Sequence, residues 1–198
     1  MIGIINYGAG NIRSVSNALN RLGAPYFVSN DSNELAKAEK LIFPGVGEAR
    51  NAMDALVSAG LSAWLKEVTV PFLGICLGMQ LLFEHTTERA TDCLGIIPGT
   101  NERFDSEQKS ALKVPHMGWN QVKQTRDSLL FTGIASCEYF YFVHSYYAPL
   151  VTATIGSTEY SLQFTSAVQQ NNYYGVQFHP EKSGRAGLQL LHNFIELC

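Results

Sequence analysis

Along the first third of the chain the hydrophobic positions alternate between two rhythms. "MIGIIN" is a short continuous apolar run of strand length. "NIRSVSNALNRLG" follows with Ile12, Val15, Leu19 and Leu22 spaced three and four apart, so they share one helical face, and Gly23 suits its C-terminal cap. "PYFVS" and "KLIFPG" return to strand character, with a short helix around "NELAKA" between them. Strand, helix, strand, helix, strand is the order of a parallel sheet covered on both faces. "VPFLGIC" then runs apolar into Cys76 and turns helical over "LGMQLLFEH". Further on the rhythm changes. "EYFYFVHSYYAP", "LVTATIGS" and "NNYYGVQFHPE" cluster aromatic and β-branched residues between turn residues, which predicts strands in hairpins, and "SGRAGLQLLHNFIELC" closes as an amphipathic helix. The predicted fold class is α/β: an open, mostly parallel sheet flanked by helices, with an antiparallel extension. With no repeat, low-complexity tract or linker, residues 1–198 read as a single domain.

Composition narrows the partners. The chain is 46% hydrophobic and 16% charged with a net charge of −3, ordinary for a soluble enzyme-sized domain, and it has no polybasic stretch. Neither nucleic acid nor a membrane surface is expected as a partner; a small molecule or another protein is. The opening apolar run is too short, and lacks the basic flank, for a signal peptide or anchor. Cys76, Cys93, Cys137 and Cys198 have no CxxC spacing, and a chain of this size needs no disulfide staples, so free thiols in a reducing cytoplasm are expected.

One cysteine stands apart. Cys76 lies where a strand meets a helix, with Gly74 and Gly78 two positions to either side. A tight strand-to-helix turn can hold its tip residue in a strained conformation, flanking glycines relieve the crowding, and the helix N-terminus favours a thiolate. On this reading the side chain stands exposed above the sheet as a nucleophile; the plain alternative is a small buried hydrophobe. A nucleophilic thiol needs a base and the base an orienting group. Among His85, His116, His144, His179 and His192, only His179 has a carboxylate at short fixed spacing, Glu181 in "GVQFHPEKS". On an extended segment residues i and i+2 point the same way, so the two can lie side by side at a strand end. His85 and His192 fall in predicted helices, and His116 and His144 read as structural. H-x-E also opens the zinc deaminase signature, but no P-C-x-x-C follows, so no metal is expected. "NYGAGNIRS" imitates a dinucleotide loop, yet Arg13 occupies the third glycine position, and no cofactor is expected.

Gly74, Cys76, Gly78 and Gln80, followed far downstream by His179 and Glu181, resemble the G-x-C-x-G-x-Q and H-x-E signature of the triad-type, class I glutamine amidotransferases, and the resemblance covers essentially the whole chain. Within that family "NYGAGN", "PGVGEA", "PHMGWN" and "HPEKS" are similar to the glutaminase subunits of imidazole glycerol phosphate synthases of histidine biosynthesis. The resemblance implies a flavodoxin-like fold and hydrolysis of glutamine to glutamate and ammonia through a thioester on Cys76. His179 would be the base and Glu181 its orienter. It implies oxyanion donors at Val46 and Leu77, and glutamine binding by Gly47, Gln80, Ser145 and Tyr146. Because the glutaminase consumes these residues, the ammonia acceptor is expected on a separate chain, by resemblance a (β/α)8-barrel cyclase contacted by Asn11, Trp119 and Lys182. A glutaminase serving another ammonia-channelling synthase, a free-standing γ-glutamyl cysteine hydrolase and a non-catalytic scaffold are the rival readings.

Overall fold

Neighbouring apolar residues along an extended strand point to opposite faces, and in this chain the two faces each receive a core. The structure, a computed structural model, describes residues 1–8, 10–104 and 113–198. The chain runs through β1 (Ile2–Ile5), α1 (Ile12–Arg21), β2 (Tyr26–Ser29), α2 (Ser32–Leu35), β3 (Lys40–Gly45), α3 (Ala49–Ser58), α4 (Leu61–Trp64), β4 (Phe72–Cys76) and α5 (Leu77–Gln80). It continues with β5 (Phe83–Thr86), β6 (Thr91–Asp92), β7 (Ile97–Arg103), β8 (His116–Gln124), β9 (Glu138–His144), β10 (Tyr146–Tyr147), β11 (Thr154–Tyr160), β12 (Leu162–Gln170), β13 (Tyr173–Val176) and α6 (Gly184–Glu196). Ile4, Ile42 and Leu73 pack with Val15, Leu19, Leu190 and Phe194 under α1 and α6. Their neighbours Ile5, Phe43 and Phe72 pack with Leu35, Leu56 and Leu61 from α2, α3 and α4 on the other side. The strands are apolar throughout because both faces are covered.

The main sheet has the order β2-β1-β3-β4-β13-β12-β11-β8-β9. β1 is parallel to β2 and β3, β3 to β4, and β4 to β13. From β13 outward the pairing is antiparallel, so the expected parallel half and antiparallel extension meet at β13. α1 ends as its composition requires, Gly23 taking φ +68° beyond the last turn. No described helix is long and apolar enough to cross a membrane.

Two local expectations are corrected. The helix after Cys76 does not run on through "LLFEH": α5 is a single turn, and Phe83–Thr86 is a strand that carries His85. The carbonyls of Leu81, Leu82, Phe83 and Glu84 accept the backbone N–H groups of Leu94, Ile96, Ile97, Gly95 and Cys93, so this pairing takes the place of helix continuation. β5 thereby joins a second, four-stranded sheet, β10-β7-β5-β6, that the hydrophobic pattern did not foretell. His179 and Glu181 lie side by side without sharing an extended segment. Pro180–Lys182 form a 3₁₀ turn, which Pro180 starts with its fixed φ and the Lys182 N–H closes on the His179 carbonyl.

Candidate active site

Cys76 ends β4 at φ +55°, ψ −109°, a strained conformation for a residue with a Cβ. The glycines on either side of it make this possible. A Cβ on Gly74 would meet the Gly78 backbone, one on Gly78 would meet the Phe43 carbonyl, and one on Gly45 would meet Leu77. The elbow is thus packed backbone against backbone on β3. The side chain does not stand exposed above the sheet as expected: Cys76 is 7% accessible and forms part of a cavity wall. Because α5 is one turn long, little helix dipole is available to the sulfur, and side chains must supply its electrostatic support.

His179 arrives from the neighbouring strand. β13 is parallel to β4, with Val176 paired to Ile75, and the chain leaves β13 directly into Gln177, Phe178 and His179. His179 is pinned at its backbone, its N–H donating to Tyr141 of β9 at 2.9 Å. Ser183 braces the same pair: its Oγ donates to the His179 carbonyl at 2.6 Å and accepts from the Tyr141 N–H at 2.9 Å. Glu181 Oε1 accepts a 2.8 Å hydrogen bond from His179 Nδ1, and both side chains are 1% accessible. Nε2 is buried with no hydrogen-bond partner among the described residues, which leaves that nitrogen for Cys76. Burial pulls the His179 pKa down, but the Cys76 sulfur, and then the Glu181 carboxylate, outweigh it and raise the pKa to about 10. The environment therefore favours the imidazolium form of His179.

A cavity of about 420 Å³ is lined by Val46, Gly47, Cys76, Leu77, Gln80, Ser145, Tyr146 and His179, joining residues from separate stretches of sequence. Glu181 stands behind His179. As the first residue of α5, Leu77 has an N–H without an intrahelical partner. Gly47 takes φ +97°, and the Val46 carbonyl beside it accepts from the Tyr7 hydroxyl at 3.4 Å. Burial, partly offset by that bond, lifts Tyr7 to about 12, so it remains a neutral donor. Asn11, Trp119 and Lys182 lie outside the cavity. Asn11 precedes α1 without capping it through its side chain, Trp119 on β8 is 56% accessible, and Lys182 is exposed in the 3₁₀ turn.

Glu88, which sequence reasoning passed over, and His144, which it read as structural together with His116, also line the cavity. Glu88 is the one carboxylate on the cavity wall among the described residues; its Oε2 accepts the Ala49 N–H at 2.8 Å, and burial raises its pKa. It escaped notice because it lies three residues beyond the predicted helix "LGMQLLFEH", in a stretch that carries no motif. His144 lines the cavity and His116 lies behind it. His144 Nδ1 meets the Tyr146 carbonyl at 2.7 Å, so Nδ1 carries the proton and Nε2 accepts from His116 Nδ1 at 3.0 Å. Burial lowers His116 to about 4 and His144 to about 3, so both are neutral.

The glutamine amidotransferase class-I family model matches residues 3–197. The chain belongs to the class-I glutamine amidotransferase family. The imidazole glycerol phosphate synthase subunit HisH of Bacteroides fragilis is 47% identical to this amidotransferase over 196 residues, covering 99% of each chain. HisH of Methanocaldococcus jannaschii is 46% identical over 200 residues, covering all of both. Among solved structures, a glutamine amidotransferase crystal structure covers 99% of this chain and 97% of its own at TM-score 0.75 and 19% identity. A glutamine amidotransferase from Thermotoga maritima covers 98% of this chain and 82% of its own at TM-score 0.66 and 16% identity. These likenesses share the fold.

Proposed function

We propose that this amidotransferase is the glutaminase subunit of an imidazole glycerol phosphate synthase, working through Cys76, His179 and Glu181. The carrying observation is that Cys76, at a strained elbow, lines one cavity with a His179 whose Nδ1 is held 2.8 Å from Glu181. The Cys76 thiolate adds to the side-chain amide carbon of glutamine, and the carbonyl electron pair moves to oxygen. The Leu77 N–H and the peptides of Val46 and Gly47 receive that oxyanion. His179 passes its proton to the amide nitrogen as the C–N bond breaks, and ammonia leaves a γ-glutamyl thioester on the sulfur. Neutral His179 then takes a proton from water, hydroxide adds to the thioester, the C–S bond breaks and glutamate departs, restoring the thiolate.

The polar ends of glutamine find complementary groups. Gln80 donates both Nε2 hydrogens, to the Tyr146 carbonyl and to Gln177 Oε1, each at 2.9 Å. Only its Oε1 is left to face substrate, and with the Glu88 carboxylate it suits the α-ammonium group. The Ser145 and Tyr146 backbone receives the α-carboxylate, and Gly47 leaves room beside it.

Both HisH relatives carry the name of a synthase subunit, which supports delivery of ammonia to a separate chain. We take that partner to be a (β/α)8-barrel cyclase in the cytoplasm that forms imidazole glycerol phosphate and aminoimidazole carboxamide ribotide, docking over Asn11, Trp119 and Lys182. The test is glutamine hydrolysis by the chain with and without the cyclase, combined with mass-spectrometric trapping of the thioester. A γ-glutamyl adduct on Cys76 is expected; turnover without an adduct there would refute the assignment.

A further inference from the structure

The Tyr146 carbonyl is an obligate acceptor, and it dictates the direction of the amides behind it. Gln80 must turn its Nε2 toward that oxygen, at 2.9 Å. The second hydrogen on the same nitrogen points to Gln177, which must answer with Oε1, again at 2.9 Å. Gln177 is fully buried on the segment between β13 and His179, so its amide has no freedom to turn over. Its own Nε2 is thereby aimed at Cys76 Sγ, 3.7 Å away, within the range of a hydrogen bond to sulfur. The amide orientation follows from the connectivity, because a flipped Gln177 would set its nitrogen against the nitrogen of Gln80.

We propose that Gln177 is a further catalytic residue, whose Nε2–H donates to the Cys76 sulfur and stabilises its negative charge, with Gln80 as the positioning residue that fixes the donor. This rests on the glutaminase reading above. Sulfur carries negative charge twice in the cycle, before attack on glutamine and when the thioester C–S bond breaks and the electron pair returns to it. A neutral donor serves both moments without competing for the proton that His179 moves. It also supplies support that the single-turn α5 does not. Gln177 lies outside the substrate cavity wall, so it acts on the sulfur and leaves glutamine binding to others.

The experiment compares wild type, Gln177→Met and Gln80→Met. The rate of Cys76 alkylation by iodoacetamide is followed against pH on the full chain, and glutamine turnover is measured in the complex with the cyclase. The other titratable groups around the sulfur, His179, Tyr7, Glu88 and His144, with Glu181 behind His179, are unchanged in these variants. In Gln177→Met the alkylation midpoint should rise by about one pH unit and kcat should fall roughly tenfold with little change in KM. Gln80→Met should move the midpoint in the same direction by less, and it decides the matter if Gln177→Met does not fold. An unmoved midpoint in the folded variant, with wild type active, overturns the role of Gln177 alone. A wild type that neither hydrolyses glutamine nor alkylates at Cys76 overturns the glutaminase reading and this inference with it.

Discussion

At the scale of single residues, the site separates groups by what the chain itself must supply. Cys76→Ser exchanges one atom at the elbow and should fold normally while losing glutamine hydrolysis, since a hydroxyl is far less ionised than a thiol. Cys93, Cys137 and Cys198 lie away from the cavity, and their serine variants should stay active if they fold; a glutamine-derived electrophile labelling any of them ahead of Cys76 would contradict this. Glu181→Gln keeps the shape beside His179 but removes the charge that holds the imidazole. Steady-state turnover should drop about a thousandfold or more with folding retained, as expected when an orienting carboxylate is lost. Cys76, His179 and Glu181 could be proposed from sequence because the glycines that flag Cys76, and the carboxylate beside His179, stand two positions away. Glu88 and Gln177 could not. Gln177 gains its meaning from Cys76 and Gln80, both far back along the chain, and no spacing announces that.

At the scale of elements, the parallel half of the sheet was readable because each short strand is apolar on both faces and α1 keeps one apolar stripe. The stretch after Gln80 misled because Leu81, Leu82 and Phe83 are as apolar as a helix face, while the deciding backbone bonds come from residues 93 to 97. The elbow is the least forgiving element. Gly78→Ala drives a Cβ into the Phe43 carbonyl, which backbone cannot easily yield, and should cost roughly 1–3 kcal/mol in a denaturation curve as well as disturbing Cys76. The paired β8 and β9 carry a different liability. His116 and His144 face each other across them and are held neutral, with pKa values of about 4 and 3 against the ordinary 6.5. Both folded values are depressed, so below pH 6.5 the unfolded chain binds protons that the folded one refuses. Stability is fully present above that pH and is lost as pH falls toward 4 and 3. Urea midpoints should trace that decline. His116→Phe, with Phe142 and Tyr160 stacked on the ring it replaces, should make it roughly half as steep.

At the scale of the whole molecule, the faces left open indicate what is to be covered. Met117 and Trp119 on β8 and Tyr139 on β9 are 62%, 56% and 50% accessible. Trp119 pairs with Tyr141, whose carbonyl holds the His179 N–H, so a partner seated on this edge would sit one strand from His179. Trp119→Ala should weaken association with the cyclase by about 2 kcal/mol if the ring is a hot spot. Lys182→Ala should reduce ligand-stimulated activity more than stability; titration of each variant against the cyclase reads both. The isolated chain should turn over glutamine more slowly than the ligand-bound complex if, as the proposed oxyanion role implies, partner binding selects the competent orientation of the Val46 and Gly47 peptides. The ladder joining β4 to β13 also orders events in time. Thiol and base lie on strands that touch in space but are made far apart in synthesis. A growing chain can close β1, β3 and β4 and complete the elbow long before residue 179 has emerged. Until β13 slots in beside β4, the cysteine has neither His179 to take its proton nor Gln177 against its sulfur. On the proposed assignment, the Cys76 sulfur would gain its base and its donor only once the sheet is complete.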